Sequence, residues 1–283
     1  MSTLDARLNA YREDLADARL QGKVEAARFV PGTRRQVVLG ALPLRKAATP
    51  GTELVSELLF GETVQVFEDK DGVAWVQNDT DGYVGYTDSA GLSETVHAPT
   101  HTVRVLHASL YPEPHVRVPV ADNLPMGARL AVTETEGRFA GLAGGGWVPE
   151  EHFVEDGEIE ADFVAVAEQF TGVPYVWGGR TSRGLDCSGL VQIALSRCGV
   201  AAPRDSDMME ATLGEPVAYD GDEAVLRRGD LVFWKGHMGI WIAPDRFLHA
   251  NWTDMRVWTS RFQQVVDHIQ KTEGLPVSAV RRL

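Results

Sequence analysis

The stretch Leu185-Asp186-Cys187-Ser188-Gly189-Leu190 constrains this chain most, because it joins a glycine-rich turn to the start of a helix. Cys187, Leu190, Val191, Ala194, Leu195 and Cys198 recur at steps of three and four, the stripe of one helical face. Gly178, Gly179 and Gly184 break that period upstream, so the helix is expected to begin at Cys187. The first turn of a helix carries unpaired amides and the positive end of the macrodipole. A thiol there is expected to ionise more readily than a free one, and thiolate is the nucleophilic form. A lone cysteine is nevertheless more often a buried apolar residue. The rest of the chain has to decide.

Around that helix the pattern is α+β. Phe163, Val166, Ala167 and Phe170 give an earlier helical stripe that ends at Thr171-Gly172-Val173-Pro174. Strands are expected at Asp230–Trp234, Met238–Ile242 and Arg246–Ala250, after a Pro/Asp-rich connection from Pro203. Helices first and antiparallel strands afterwards make an α+β domain over 156–283. Five of the seven tryptophans fall here, enough to wall an apolar cleft.

The preceding segment is all β. Gly61-Glu62-Thr63-Val64-Gln65-Val66-Phe67 alternates, and Ala74-Trp75-Val76 and Tyr83-Val84-Gly85-Tyr86 follow the turns Asp71-Gly72 and Asp81-Gly82. A degenerate repeat answers it at an offset of 61 to 66 residues: Leu59-Phe60-Gly61-Glu62 by Leu124-Pro125-Met126-Gly127, and Gly85-Tyr86 by Gly146-Trp147. Two small barrels, 33–97 and 98–155, are the simplest account, with a linker at Val96-His97-Ala98-Pro99, and both resemble bacterial SH3-type barrels. Residues 1–32 carry Leu4, Leu8, Tyr11 and Leu15 at steps of four, three and four. They suit a short helix or an arm laid over the body.

The chain has 283 residues, and 27 basic against 40 acidic side chains leave a formal charge of −13. That field repels nucleic acid and anionic membranes, so neither is expected as a partner. No run of 18 apolar residues occurs, and the N-terminus lacks a basic patch followed by an apolar run, which predicts a cytoplasmic protein. The two cysteines stand on one helix roughly 16 Å apart at 1.5 Å per residue, too far for a disulfide, which fits a reducing compartment.

A cysteine nucleophile needs a base within hydrogen-bond reach and a third group that holds the base. The C-terminal domain offers His237, His249 and His268. His237 opens one expected strand and His249 ends the next, with Ala243-Pro244-Asp245 as the turn between them. A hairpin of that length brings the two imidazoles side by side. His268 falls in a further helical stripe (Phe262, Val265, Val266, Ile269) and reads as structural. His97 and His101 have a metal-like spacing but lie at a linker, so no cofactor is expected.

These residues belong to longer motifs: Pro174-Tyr175-Val176-Trp177-Gly178-Gly179, Asp186-Cys187-Ser188-Gly189-Leu190-Val191, Pro203-Arg204-Asp205-Ser206, Gly229-Asp230-Leu231-Val232-Phe233, Gly236-His237-Met238-Gly239-Ile240 and His249-Ala250. In order and spacing they resemble the NlpC/P60 cysteine peptidases. With two upstream SH3-type barrels, the whole chain resembles the three-domain γ-D-glutamyl-L-diamino acid endopeptidases of cell-wall stem peptides. The resemblance implies a papain-like catalytic domain with Cys187 as nucleophile, His237 as base and His249 as its orienting group. It also implies that Tyr175, Asp186 and Ser188 hold the free amine of an N-terminal L-alanine, and that Asp205 and Ser206 contact the D-glutamyl part. Glu57 and Tyr83 are the first barrel's candidates for the pocket. Met209 stands where many relatives carry glutamine.

Three functions are therefore carried forward. The leading one is an endopeptidase cleaving between γ-D-glutamate and meso-diaminopimelate or lysine in free muropeptides, in murein recycling. A second keeps the cysteine site as an amidase or acyltransferase on another acyl substrate. The third is a non-catalytic protein that binds wall peptides. The sequence does not fix an oligomeric state.

Overall fold

The alternating residues around Val64 form the strand Thr63–Lys70, which turns at Asp71-Gly72 into the strand Val73–Asn78. Asp71 and Gly72 have φ of 54° and 80°, the two left-handed residues that a tight turn between right-twisted strands requires. In the computed structural model, which describes residues 4–283, these strands belong to a seven-stranded antiparallel sheet. Thr33–Val37, Ala41–Arg45, Leu54–Leu59, Val84–Asp88 and Leu92–Ser93 complete it. The chain divides after Glu158 into an N-terminal unit and a C-terminal unit, Ile159–Leu283.

Residues 101–155 repeat this connectivity on a smaller scale. The amide of Gly61 donates to Val37 O, and that of Gly127 to Val103 O. The amide of Val37 likewise donates to Glu62 O, and that of Val103 to Ala128 O. His107–Leu110 pairs with Asp122–Pro125 as Ala41–Arg45 pairs with Leu54–Leu59. The bridge Tyr111↔Trp147 stands where Arg45↔Tyr86 stands in the first set. The second set is split into sheets of three, two and three strands around its own core of Val103, Ala108, Leu124, Ala128, Leu130, Leu142 and Val148.

The helix considered for the N-terminal segment does not form. From Leu4 the chain runs irregularly to a short parallel pair, Ala16–Asp17 with Phe29–Val30. Ala10 and Leu15 are buried against Phe67 and Trp75 of the first sheet. Leu4, Leu8 and Tyr11 are only half-buried, and helical spacing alone does not suffice to form a helix.

In the C-terminal unit four helices, α1 (Phe163–Glu168), α2 (Cys187–Arg197), α3 (Ser206–Thr212) and α4 (Phe262–Glu273), and a two-stranded hairpin, Arg180–Thr181 with Gly184–Leu185, accompany a six-stranded antiparallel sheet. Its strands are β1 (Glu215–Pro216), β2 (Leu231–Trp234), β3 (His237–Ala243), β4 (Arg246–Asn251), β5 (Arg256–Ser260) and β6 (Ala279–Arg282). They lie in the order β1-β6-β2-β3-β4-β5. Phe262, Val265 and Ile269 of α4 pack on Val232, Trp234, Trp241, Phe247 and Val280 of the sheet. Helix α2 is buried on every side, with only Ser196 left out, rather than along one stripe. It packs on α1, β3 and β4, which makes it the central rod of the unit.

Candidate active site

Cys187 is the first residue of α2 and is buried. The helix start is pressed against the glycine turn: a Cβ on Gly189 would lie 2.3 Å from Gly179 O, so only glycine fits. The backbone N–H groups of Met238 and Ser188 point at the sulfur, which places it beside His237 in the chain. The thiol is nevertheless not acidified. Burial, with the negative Asp186 next to it, pushes it up to about 12. The two amides oppose that shift but do not reverse it, because a helix end contributes only about 0.3–1 kcal/mol while desolvating a thiolate costs more.

The two histidines meet as the hairpin predicts. Antiparallel pairing of β3 with β4 brings His237 Nε2 to 2.9 Å from His249 Nδ1. Gly239 makes the space: a Cβ there would come within 2.6 Å of the Phe247 ring and 2.8 Å of His249 Cβ. The contact between the imidazoles uses Nε2 of His237 and not its other ring nitrogen, Nδ1. Burial lowers its pKa to about 4, and burial together with His237 holds His249 well below the ordinary histidine value. Beyond His249, its Nε2 lies 3.1 Å from Ser260 Oγ and 3.1 Å from Asn251 Nδ2.

Asp186 is fully engaged inside the protein. It caps α2 by accepting from Gly189 N at 2.7 Å, and it accepts from Gly178 N at 2.8 Å. Buried Arg204 grips both carboxylate oxygens, at 3.0 and 2.6 Å, and donates to Ser188 Oγ at 2.8 Å. Asp186 and Ser188 are 7% and 5% exposed, and both are engaged by Arg204. Tyr175 differs: it is half-buried, lines the cavity, and has its hydroxyl pKa raised by burial and by Cys187 and Asp186. Asp205 and Ser206 follow Arg204 directly and begin α3, both half-buried. Met209 is fully buried, so the departure at this position is a core residue. Glu57 and Tyr83 lie in the N-terminal unit, Glu57 half-buried on Leu54–Leu59 and Tyr83 buried beside Asp81.

A cavity of about 600 Å³ opens over the histidines, lined by Tyr175, Trp177, Trp252 and Trp258 as well as His237 and His249. The tryptophans supply its apolar wall. His268 reaches the same cavity as an exposed residue 3.4 Å from Thr253 Oγ1, not as a core residue. Among the described residues no group of three or more His, Cys, Asp or Glu is placed to hold a metal. A buried thiol, two linked imidazoles and an adjoining cavity suit acyl transfer through a thioester.

Residues 172–271 match the model of the NlpC/P60 family. The chain carries an NlpC/P60 peptidase domain. Residues 44–92 match the bacterial dipeptidyl-peptidase Sh3 domain, so the first of the two expected barrels is an SH3 domain and the second has no such match. The chain is 26% identical over 222 residues to dipeptidyl-peptidase 6 of Lysinibacillus sphaericus, covering 70% of this chain and 80% of that one. It is 38% identical over 97 residues to the gamma-DL-glutamyl hydrolase of Bacillus subtilis, covering 31% of this chain and 22% of that one. A probable endopeptidase of Haemophilus influenzae is 35% identical over 109 residues, covering 34% of this chain and 65% of that one. The chain thus spans less than two thirds of the last two relatives. An NlpC/P60 family protein from Bacillus cereus shares the fold, with a TM-score of 0.70 at 20% identity over 88% of this chain and 99% of that one.

Three residues around the cysteine–histidine cluster carry little or no local sequence signal for their place in it. Arg204 stands inside a quoted motif, but nothing local says that its guanidinium turns inward onto Asp186. Asn251 was reachable in principle, since it shares a strand face with His249 two residues away. Ser260 was not, because its approach depends on the β4–β5 register that pairs it with Phe247.

Proposed function

We propose that the protein is a cysteine endopeptidase that hydrolyses the γ-D-glutamyl–diamino acid bond of free peptidoglycan stem peptides with an unblocked N-terminal L-alanine. The diamino acid is meso-diaminopimelate or L-lysine, and the role is recycling of wall fragments. The observation that carries this reading is the bond between His237 Nε2 and His249 Nδ1, beside a cysteine at a helix start. The names of two relatives, a gamma-DL-glutamyl hydrolase and a dipeptidyl-peptidase, support the bond class.

In this mechanism substrate displaces water from the cavity, and His237 Nδ1 takes the thiol proton as sulfur attacks the γ-carbonyl carbon. His249 holds the ring and shares the positive charge. His237 then returns the proton to the leaving amine, and a thioester to Cys187 remains. Water, deprotonated by the same nitrogen, releases the dipeptide. With thiol and imidazole both neutral at rest, charge separation is deferred until substrate is bound.

The decisive experiment incubates L-Ala-γ-D-Glu-diaminopimelate with the parent and follows diaminopimelate release. An intact tripeptide, alongside cleavage of an unrelated amide, would sink the assignment. One observation favours the amidase reading. Asp186 and Ser188 are both bonded to Arg204, which competes with a substrate amine for them. Acetylating the L-alanine separates the two readings: a large loss of rate supports the endopeptidase, an unchanged rate the amidase. Recycling carries a cytoplasmic location with it, which cell fractionation checks.

A further inference from the structure

The hydrogen bonds behind His249 define where the protons of the site can sit. The amide of Asp254 donates to Asn251 Oδ1 at 2.7 Å, and Asn251 Nδ2 lies 3.2 Å from Asp254 Oδ2. A backbone N–H only donates and a carboxylate only accepts, so these two contacts fix the orientation of the Asn251 amide. Its Nδ2 therefore donates to His249 Nε2 at 3.1 Å. That nitrogen is unprotonated in this arrangement, and the single proton of neutral His249 is on Nδ1, directed at His237 Nε2.

In the proposed mechanism, where His237 Nδ1 exchanges a proton with the thiol, three protons are shared among four places: Cys187 Sγ, His237 Nδ1, the link between the two imidazoles, and His249 Nε2. With the last place empty, the other three are filled, and His237 Nδ1 already carries a proton. It cannot then act as a base. Both reactive arrangements, thiol facing bare Nδ1 and thiolate facing imidazolium, place a proton on His249 Nε2. The resting and base-competent forms hold the same number of protons and differ only in one proton's place, His237 Nδ1 or His249 Nε2. A proton on Nε2 needs an acceptor, and Ser260 Oγ at 3.1 Å is the neighbouring group that can accept.

We infer that Asn251 and Ser260 are opposed positioning residues that set the tautomer of His249, Asn251 holding the site at rest and Ser260 supporting the reactive form. This rests on the peptidase reading for its purpose, but it can be tested without any substrate. The titratable and charged neighbours of this chain of bonds are Cys187 and His237 within it, Asp186, Arg204 and Tyr175 about the thiol, and Asp254 behind Asn251. Lys235, Arg261, His268 and Glu273 stand on the cavity wall, and Arg256 lies opposite Asn251 across β4 and β5. The variants leave all of them in place.

The test is the pH dependence of Cys187 alkylation by iodoacetamide, read by mass spectrometry in a Cys198→Ser background. Ser260→Ala is expected to move the profile to higher pH by about one unit, tenfold in thiolate at a given pH. Ser260→Thr, which keeps the acceptor, is expected to restore it. Asn251→Leu, which cannot donate, is expected to move the profile the other way. A Ser260→Ala profile superposed on the parent overturns the inference. So does a shift that threonine fails to restore, since that is a packing effect. Failure of the tripeptide assay with these shifts intact would overturn the proposed substrate and leave this inference standing.

Discussion

At the scale of single residues, Asp186 and Arg204 decide how firmly the nucleophile is held. Arg204 is 1% exposed and Asp186 7%, so each neutralises a charge that would otherwise be buried alone. Arg204→Met should cost roughly 3–5 kcal/mol, the range for breaking one side of a buried ion pair, and thermal unfolding checks it. The imidazoles add a dependence on pH. His237 is depressed to about 4 and His249 is also lowered, so below the ordinary histidine range the unfolded chain binds protons that the folded one refuses. Stability is therefore fully present above about pH 6.5 and falls with acidification toward pH 4. A His237→Asn, His249→Asn double variant should show a flatter dependence of Tm on pH over that window.

At the scale of elements, the site is a product of strand register. Gly239→Ala should destabilise by about 1–3 kcal/mol through overpacking against Phe247, and should lower activity further by displacing His249. Urea denaturation and the tripeptide assay read the two effects separately. The β3–β4 hairpin was legible because its turn residues and apolar runs are local signals. Strand β5 was not. The turn before it, Trp252 to Met255, has neither glycine nor proline; Met255 adopts φ 53°, and Asn251 Oδ1 accepts from the Asp254 amide. The same distinction runs through the site. Cys187, His237 and His249 announce themselves by motif and spacing. The partners that tune them, Arg204 and Ser260, arrive through tertiary contacts that no local pattern encodes. The expected acidity of Cys187 failed for that reason too, since burial is a property of the assembled unit.

At the scale of the molecule, the N-terminal unit is two copies of one strand plan, of which the first is the fuller, and the arm before residue 32 is part of its core. Leu15 is completely buried, so Leu15→Ala should cost about 2–5 kcal/mol in that unit, measurable as a lowered Tm. The alternation and Asp-Gly turns made the first β region readable and the degenerate repeat made the second so, while of the two readings of residues 1–32, helix or arm, the helix does not form over the described residues. The C-terminal unit places the thiol and the linked imidazoles around one helix start, and there the account stands or falls. The most direct measurement compares diaminopimelate release from L-Ala-γ-D-Glu-diaminopimelate by the parent, Cys187→Ala and His237→Ala. The account predicts release by the parent and a loss of at least about a thousandfold in both variants, the scale seen when members of a nucleophile–base unit are removed. Release by Cys187→Ala at a rate comparable to the parent would contradict it.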